Sequence, residues 1–366
     1  MAVYKIFPIA DATLYSAYPS TNTGLDEILE VACYNSQNPA NLTLSNLAAT
    51  DDIRRAIIKF DSSEISNTIA LATSSFSAYL KLYLASANNL STDYSLEVRQ
   101  LSQDWSMGTG KLNDLPTTQN GVSWYSTSSY SGSVNWNSSA YYKTVGGGSW
   151  TATSSSQSYN YKSDKDPIID VSTIVRQWNS GSAANNGFLV KLPILVESSS
   201  LSYTGLSFFS IDTHTIYPPT LEFRWDDSAY STGSLSVINN NSVVVTLGNN
   251  MGNFKAGTNK YMVRVNVRDM YPARNFTSNT TSSLYTNVKA LPSSSYWSIV
   301  DYKTNDIVID YDVNYTKVSC DGNGNFFYLY MSGLEPERYY KTLIKTVLST
   351  GETVEFDNDM IFKVEY

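Results

Sequence analysis

Short runs of alternating apolar and polar residues, separated by polar turns, are the feature that most constrains the fold of this chain. In SAYLKLYLA (77–85), the residues Ala78, Leu80, Leu82 and Leu84 point one way, and the residues between them point the other way. Successive side chains of a β-strand alternate between its two faces, so a period of two predicts a strand. The same pattern recurs in RRAIIKF (54–60), YSLEVRQL (94–101), GFLVKL (187–192), LSFFSI (206–211), PTLEFRW (219–225), KYMVRVNV (260–267) and DIVIDYDV (306–313).

Turn residues between such runs predict how neighbouring strands connect. The Asp321-Gly-Asn-Gly sequence in CDGNGNFFYLYM supplies the glycines and asparagine that a tight hairpin with positive φ requires. A second hairpin is predicted around Ser349-Thr350-Gly351. Strands joined in this way pair antiparallel, as in sandwiches and barrels.

One segment, IIDVSTIVRQWNSG (168–181), departs from the strand pattern. Its apolar residues Val171, Ile174, Val175 and Trp178 follow the i, i+3, i+4, i+7 spacing of a helix. Asp170 is the predicted N-cap, and Asn179-Ser180-Gly181 is predicted to end the helix. We expect one short helix whose apolar stripe belongs to the core.

Residues 108–163 have a different composition, poor in aliphatic residues and rich in Ser, Gly, Tyr and Trp. A disordered linker would not carry three tryptophans, so we expect an ordered surface loop. Its aromatic rings suit packing within the loop or contact with a neighbouring subunit, and secondarily stacking on sugar rings. The candidate interface or glycan contacts are Trp124, Tyr125, Tyr130, Trp136, Tyr141, Tyr142 and Trp150.

Length and composition suggest two domains. The chain has 366 residues, and its composition becomes polar and small at DDSAYSTGS (226–234), where we place the boundary. We predict an all-β protein in which residues 1–226 form a jelly-roll-like β-sandwich with one short helix. Residues 227–366 are predicted to form an immunoglobulin-like β-sandwich.

Charge and apolar patterning exclude some classes of partner. With 33 acidic and 25 basic residues the formal charge is −8, which argues against a general grip on nucleic acid phosphates. No run approaches 18 consecutive apolar residues, so we expect no membrane insertion, and the first 16 residues do not resemble a secretory signal. The two cysteines, Cys33 and Cys320, lie in different predicted domains and are expected to be buried free thiols.

The residues that commonly carry catalysis or bind metals are few. His214 is the only histidine, which makes a zinc site or a Ser-His-Asp triad improbable and favours a turn residue. Asp310 and Asp312 share a strand face at a spacing tolerable for a glycosidase, and Asp226 and Asp227 are adjacent, but nothing marks a sugar cleft around them, and a solvated acidic surface is the favoured interpretation. In DGNGN (321–325), oxygen side chains alternate as in calcium loops, although a hairpin turn suffices. We therefore expect no enzyme activity, no metal and no cofactor.

The first 226 residues resemble the DNRLRE module, a jelly-roll-like β domain of bacterial surface proteins and phage particles. The segments that carry the resemblance are DATLYSAYPSTNTG (11–24), RRAIIKFDSSEI (54–65), AYLKLYL (78–84), LSQDWSMGTG (101–110), VSW (122–124) and the helical segment beginning DVSTIVRQWNSG at Asp170.

A wider resemblance covers nearly the whole chain. NGVSWYST, VGGGSW, LSFFSIDTHTIYPPTLEFRWDDS and SCDGNGNFFYLYMSGLEPERYYKTLIK look like segments of structural proteins of marine T4-like phages, the type that infects cyanobacteria. The chain departs from that pattern in having Val145, where Pro is usual, before its glycine triplet.

This resemblance implies a non-enzymatic virion component of the neck, tail or fibre, assembled in the host cytoplasm. Its partners would be other phage structural proteins, with a homo-oligomer expected. A carbohydrate-binding adhesin module that contacts host surface glycans is the alternative, and an envelope-degrading hydrolase is the least favoured interpretation.

Overall fold

The structure, a computed structural model, describes residues 2–35, 51–88, 93–133, 135–137, 146–160, 162–163, 165–197, 203–248, 252–257, 260–271 and 288–366. Across these residues the protein is built from strands and three short helices, which confirms the all-β class. The strands are β1 Ala2–Ile6, β2 Ala10–Tyr15, β3 Ile28–Asn35, β4 Asp51–Lys59, β5 Phe76–Lys81, β6 Leu84–Asn88, β7 Tyr94–Leu101, β8 Trp150–Tyr159, β9 Ile168–Asp170, β10 Phe188–Lys191, β11 Tyr203–Phe209, β12 Thr220–Trp225, β13 Val243–Leu247, β14 Asn253–Lys255, β15 Lys260–Asp269, β16 Ser295–Asp301, β17 Ile307–Ile309, β18 Ser319–Asp321, β19 Gly324–Tyr330, β20 Arg338–Val347 and β21 Thr353–Glu365.

The helices are α1 Ser62–Leu71, α2 Ser172–Asn179 and α3 Ile194–Glu197, so the prediction of one helix was wrong in number. The carboxylate of Asp61 precedes α1 and accepts the backbone N–H groups of Ser63 at 2.6 Å and Glu64 at 3.1 Å. Asp followed three residues later by Glu is a helix-start signal that the sequence contains.

Helix α2 is the predicted helix, and its apolar stripe is buried as expected. Ile174 and Val175 are inaccessible to solvent, and the ring of Trp178 lies 4.6 Å from that of Phe188 on β10. The predicted cap is off by one residue, because Val171 occupies the N-cap position. The Asp170 carboxylate nevertheless accepts the N–H of Ser172 at 2.9 Å, so it satisfies a backbone group at the helix start.

Four sheets organise the strands. One four-stranded sheet has the order β1-β12-β5-β9, and the largest sheet has the order β6-β11-β3-β4-β10-β7-β8, with β2 also paired to β4. The other two have the orders β13-β15-β19-β18 and β14-β21-β20-β16-β17. Among the pairs whose residue register is described, β14 and β21 are parallel and the others are antiparallel.

Strands β4 and β10 lie in the middle of the largest sheet, and both of their faces are buried. Ile58 pairs with Phe188 and Ala56 with Val190, as expected for an apolar face. The opposite face holds fully buried Arg55 and Lys191 as well as Leu189.

Contacts within the chain define two compact units. The amino-terminal unit consists of Ile6–Asn67 and Ser77–Glu222. The carboxy-terminal unit consists of Met1–Lys5, Thr68–Phe76 and Phe223–Tyr366, so it is assembled from three pieces of the sequence.

The core of the carboxy-terminal unit is shared by two sheets, which makes this unit a β-sandwich. Trp297 on β16 stacks on Phe327 of β19, with ring centroids 4.9 Å apart, and the β15 valines predicted to face inward are buried in the same cluster. Both predicted hairpins are present as β18–β19 and β20–β21, with positive φ at Gly324 and Gly351. These features are compatible with the immunoglobulin-like prediction.

The strand predicted over residues 306–313 is shorter in the structure than in the prediction. Strand β17 covers only Ile307–Ile309, and of the predicted inward residues Ile307 and Val313 are exposed. The chain turns after Ile309 because the Asp312 carboxylate accepts the N–H groups of Asn314 and Tyr315, which forms an Asx turn.

Candidate functional site

The predicted loop over 108–163 consists of two different parts. Residues 150–159 form β8, an edge strand that pairs with β7, so the prediction of a loop was wrong for this part. Residues 106–137 contain no helix or strand wherever the structure describes them. We call residues 106–137 the aromatic segment.

Asn22 holds the aromatic segment together from inside. Its side chain is fully buried and donates hydrogen bonds to the carbonyls of Met107 at 2.6 Å and Val122 at 2.8 Å. Its Oδ1 atom accepts the N–H of Gly110 at 2.7 Å. One amide therefore adds three buried hydrogen bonds to the backbone bonds within the segment, such as that from the Val122 N–H to the Ser106 carbonyl.

The Asn22 side chain lies so close to the backbone of the aromatic segment that two positions there have no room for a Cβ atom. A Cβ atom at Gly108, where φ is +78°, would lie 2.4 Å from Asn22 Oδ1, and one at Gly121 would lie 2.6 Å from Asn22 Nδ2. Any larger residue at either position would displace the amide from its partners.

Backbone hydrogen bonds attach the turn after β2 to the aromatic segment. The N–H of Tyr125 donates to Pro19 at 3.0 Å, and the N–H of Asn22 donates to Thr118 at 2.9 Å. The exposed side chains of Tyr18 and Leu115 belong to this turn and this segment. The two loops therefore lie side by side.

The structure separates the predicted site residues into three groups. Trp124 and Trp136 are buried, and the Trp136 indole donates to the Ser123 carbonyl at 3.1 Å, so these two rings pack inside the unit. Tyr125, Tyr130 and Trp150 are partly exposed. Tyr141 and Tyr142 lie outside the described residues.

Trp124 and Trp150 enclose a buried arginine. The guanidinium carbon of Arg55 lies 4.9 Å from the Trp124 ring and 5.2 Å from the Trp150 ring. Its Nε and Nη2 atoms donate to the two carboxylate oxygens of Glu197 at 3.0 and 2.8 Å, and Nη1 donates to the Gly147 carbonyl at 2.7 Å. Arg55 is fully buried and Glu197 nearly so.

Lys191 and Glu97 extend this buried charge cluster. They are opposite one another on β10 and β7, and Lys191 Nζ lies 3.3 Å from Glu97 and 3.5 Å from Glu197. Burial lowers the pKa of Lys191, and the charges of Glu197 and Glu97 oppose that effect. Burial alone would raise the pKa of Glu97, but hydrogen bonds from Arg99 and Lys191 hold it below its ordinary value.

A groove of about 560 Å³ borders the aromatic segment. Within it, the Glu30 carboxylate accepts hydrogen bonds from Tyr15 at 2.7 Å and Arg54 at 2.6 Å, and Asp26 accepts the N–H of Leu112 at 3.2 Å. Burial raises the pKa of Asp26 to about 6. The groove is lined by Tyr15, Asp26, Glu27, Ile28, Glu30, Ala85, Ser86, Lys111, Leu112, Asn113 and Ser207.

His214 and Asp321, which were considered above for catalysis and for calcium binding, each lie near a charged side chain. His214 lies in a bend between β11 and β12, and its side chain is 89% exposed, with Nε2 3.7 Å from the Glu27 carboxylate. Asp321 of the suspected calcium loop forms a two-bond ion pair with Arg264, with both distances 2.8 Å. Within the described ranges, no three His, Cys, Asp or Glu side chains are grouped so that they could hold a metal ion.

Two further sequence expectations concern cysteines and membranes. Cys33 and Cys320 are both buried free thiols, as predicted. Among the helices of the described residues, none is both long and apolar enough to cross a membrane.

Comparison with known proteins gives no match: no protein-family model matches the sequence, and no curated protein sequence matches it.

Proposed function

We propose that this protein is a non-enzymatic structural component of a tailed-phage virion, in the neck, tail or fibre region, and that it acts by protein–protein assembly. The sequence resemblance to phage structural proteins suggests the particle. The observation that carries the mode of action is an exposed surface with large side chains on a rigid support. Tyr18 is 53% exposed and Leu115 is 94% exposed, on two loops joined by backbone hydrogen bonds, and Tyr125 and Tyr130 of the aromatic segment are partly exposed.

The rigidity of this surface matters for its function. Binding costs conformational entropy when loops must be ordered, and a pre-organised loop avoids most of that cost. Asn22 and the backbone bonds to Pro19 and Thr118 fix the aromatic segment before any partner arrives. Tyrosine adds contact area with few rotatable bonds, which suits a surface that binds another subunit.

Complementation of a deletion phage tests this proposal. A double variant Leu115→Ser/Tyr130→Ser is expected to fold but to be incorporated into particles at a much lower level, measured by quantitative mass spectrometry of purified virions. The matched control is Tyr271→Ser, which removes an 85% exposed aromatic ring from the carboxy-terminal unit. Normal incorporation of the double variant would refute the proposed surface.

A second candidate function is binding of host glycans, and the groove is the observation that favours it. Carboxylates at Asp26 and Glu27 accept hydrogen bonds from sugar hydroxyls, and Asn113 and Lys111 offer donors beside them. A glycan array probed with the purified protein tests this function. Binding that is lost in Asp26→Asn/Asn113→Ala would support it, and absence of binding by the unmodified protein would reject it.

A further inference from the structure

Three distant parts of the amino-terminal unit meet at the guanidinium of Arg55. Arg55 comes from β4, Gly147 from the chain just before β8, and Glu197 from the end of α3. Trp124, which directly precedes the partly exposed Tyr125, covers one side of the guanidinium. Leu195, two residues before Glu197, is 84% exposed.

We infer that Arg55 is a positioning residue, which sets the aromatic segment and α3 in a single arrangement so that their exposed side chains form a defined surface. This inference rests on the proposed function, in which that surface contacts a partner subunit. Arg55 itself is inaccessible to solvent, so it would act on that contact through the residues around it.

The energetics of burial favour a role in specificity over one in stability. Taking a charged pair out of water costs several kcal/mol per ion, and well-packed apolar residues of similar volume often serve stability equally well. An apolar side chain, however, could not bind the Glu197 carboxylate and the Gly147 carbonyl at the same time. The planar guanidinium directs separate N–H groups to both of them.

Lysine could not replace arginine in this role. Its ammonium is a single point with no planar face to lie between two indoles, whereas a guanidinium stacks on aromatic rings. The fit is tight on the other side as well. A Cβ atom at Gly147, where φ is +77°, would lie 2.6 Å from Arg55 Nη1 and 2.7 Å from the Trp124 ring.

The test measures the order of the segment directly, without a partner. Chymotrypsin under native conditions is expected to cleave Arg55→Met and Arg55→Lys after Tyr125 or Tyr130 about tenfold faster than the unmodified chain, because local opening becomes easier. Far-UV circular dichroism should stay unchanged. The control is Lys59→Met on the same strand, which breaks the surface pair with Asp104 and should leave the cleavage rate unaltered.

A second variant and a second measurement keep the inference testable if Arg55→Met does not fold. Arg55→Met removes the two hydrogen bonds that Arg55 donates to the buried Glu197 carboxylate. Arg55→Met/Glu197→Met removes both charges, leaves Lys191 paired with Glu97, and should restore folding while the segment stays sensitive to cleavage. In the unmodified chain, hydrogen exchange should show residues 146–150 and 194–197 opening together. Wild-type cleavage rates in the folded variants, or separate opening of these two regions, would overturn the inference. Neither proteolysis nor hydrogen exchange involves assembly. A failure of the virion incorporation experiment would therefore not change how these two measurements are interpreted.

Discussion

Asn22 and Asp11 are both buried polar residues of the amino-terminal unit, but they differ in how well their polar atoms are satisfied. The Asn22 amide uses both ends in hydrogen bonds to the aromatic segment. Asp11 Oδ2 accepts the N–H of Ile211 at 2.7 Å, whereas its buried Oδ1 has no partner among the described residues. The two residues therefore predict different experimental behaviour.

Asn22→Ala should lower the free energy of unfolding by about 2–4 kcal/mol, because it leaves two carbonyls and two N–H groups without their buried partner. Chemical denaturation of the purified variant measures this change. Asn120→Ala is the control, because Asn120 is an exposed amide of the same segment that bonds only to Thr109 in the described structure. A loss as small in Asn22→Ala as in the control would contradict the central role assigned to Asn22.

Asp11 should make stability depend on pH in an unusual direction. Burial raises its pKa to about 8, the hydrogen bond from Ile211 opposes this, and the charge of Asp212 adds to it. Because the folded state holds the proton more tightly than the unfolded state, the contribution of Asp11 is complete below about pH 4. It is lost as the pH rises towards 8.

Asp11→Asn removes this titration. The difference in unfolding free energy between variant and unmodified chain should shift in favour of the variant from pH 4 to pH 8, and then level off. Denaturant titrations at several pH values measure it. A difference that stays constant across this range would show that the Asp11 pKa is not raised.

At the scale of elements, the buried apolar stripe of helix α2 is expected to contribute to the stability of the amino-terminal unit. Trp178 contacts Phe188 on β10, and Phe188 in turn lies 6.0 Å from Phe60. The helix therefore joins the core of the largest sheet through one aromatic cluster.

Trp178→Ala should destabilise the amino-terminal unit by about 3–5 kcal/mol, as expected for a large buried ring replaced by a cavity. Thr173→Ala, on the exposed side of the same helix, should change stability by less than about 0.5 kcal/mol. Thermal and denaturant unfolding followed by circular dichroism provide the comparison. Equal effects of the two substitutions would contradict the buried position of the stripe.

Strand β8 changes how the aromatic segment must be studied. Deleting the whole range between residues 110 and 163 would remove β8, Trp124 and the Gly147 carbonyl that binds Arg55. The amino-terminal unit would then lose an edge strand and expose a buried charge cluster. Point variants on the surface are therefore the informative experiment.

At the scale of the whole molecule, the carboxy-terminal unit depends on residues far from the carboxy-terminal sequence. Val3 belongs to its core, and Tyr4 contacts Tyr330 with ring centroids 5.7 Å apart. Trp225, fully buried, contacts the same Tyr330 ring at 5.4 Å. A fragment that begins at residue 227 lacks all three of these side chains.

The isolated fragment 227–366 should therefore be less stable than the same unit in the full chain. Loss of one buried tryptophan alone costs about 3–5 kcal/mol, and each kcal/mol lowers Tm by roughly 2–4 °C in a domain of nearly 150 residues. We expect a broad transition or none at 37 °C, measured by circular dichroism and by the dispersion of amide signals in NMR spectra. Adding the peptide of residues 1–5 and extending the fragment to residue 223 should restore part of the loss. A fragment as stable as the full chain would contradict this dependence.

Both cysteines are buried free thiols, which predicts indifference to redox conditions. A thiol reagent should react slowly with the native protein and should find two thiols after unfolding. Reductant should leave Tm unchanged. A reductant-dependent melting temperature would reveal a covalent pairing that the structure does not contain.

Features that depend on local periodicity follow from the order of the residues alone. Alternation in β5, β7, β15 and β20, glycines at hairpin turns, and the spacing of Val171, Ile174, Val175 and Trp178 are read from neighbouring residues. Side-chain direction in a strand or helix repeats with a fixed period, so such patterns identify elements and buried faces without knowledge of the partner. The same logic failed for 306–313, where an Asx turn at Asp312 ended the strand.

The tertiary structure decided what surrounds each element. The alternation in β4 marks Arg55 as an outward-facing residue, and only the approach of Glu197 and Gly147, 142 and 92 positions away, makes it a buried one. In the sequence Asn22 lies in an ordinary polar turn. Only the folded chain brings Met107, Gly110 and Val122 within hydrogen-bond distance of its amide. Long-range hydrogen bonds and ion pairs leave no periodic signal in the sequence, because they depend on the fold bringing distant residues together. For that reason the aromatic segment could be recognised from composition, whereas the two residues that hold it in place could not.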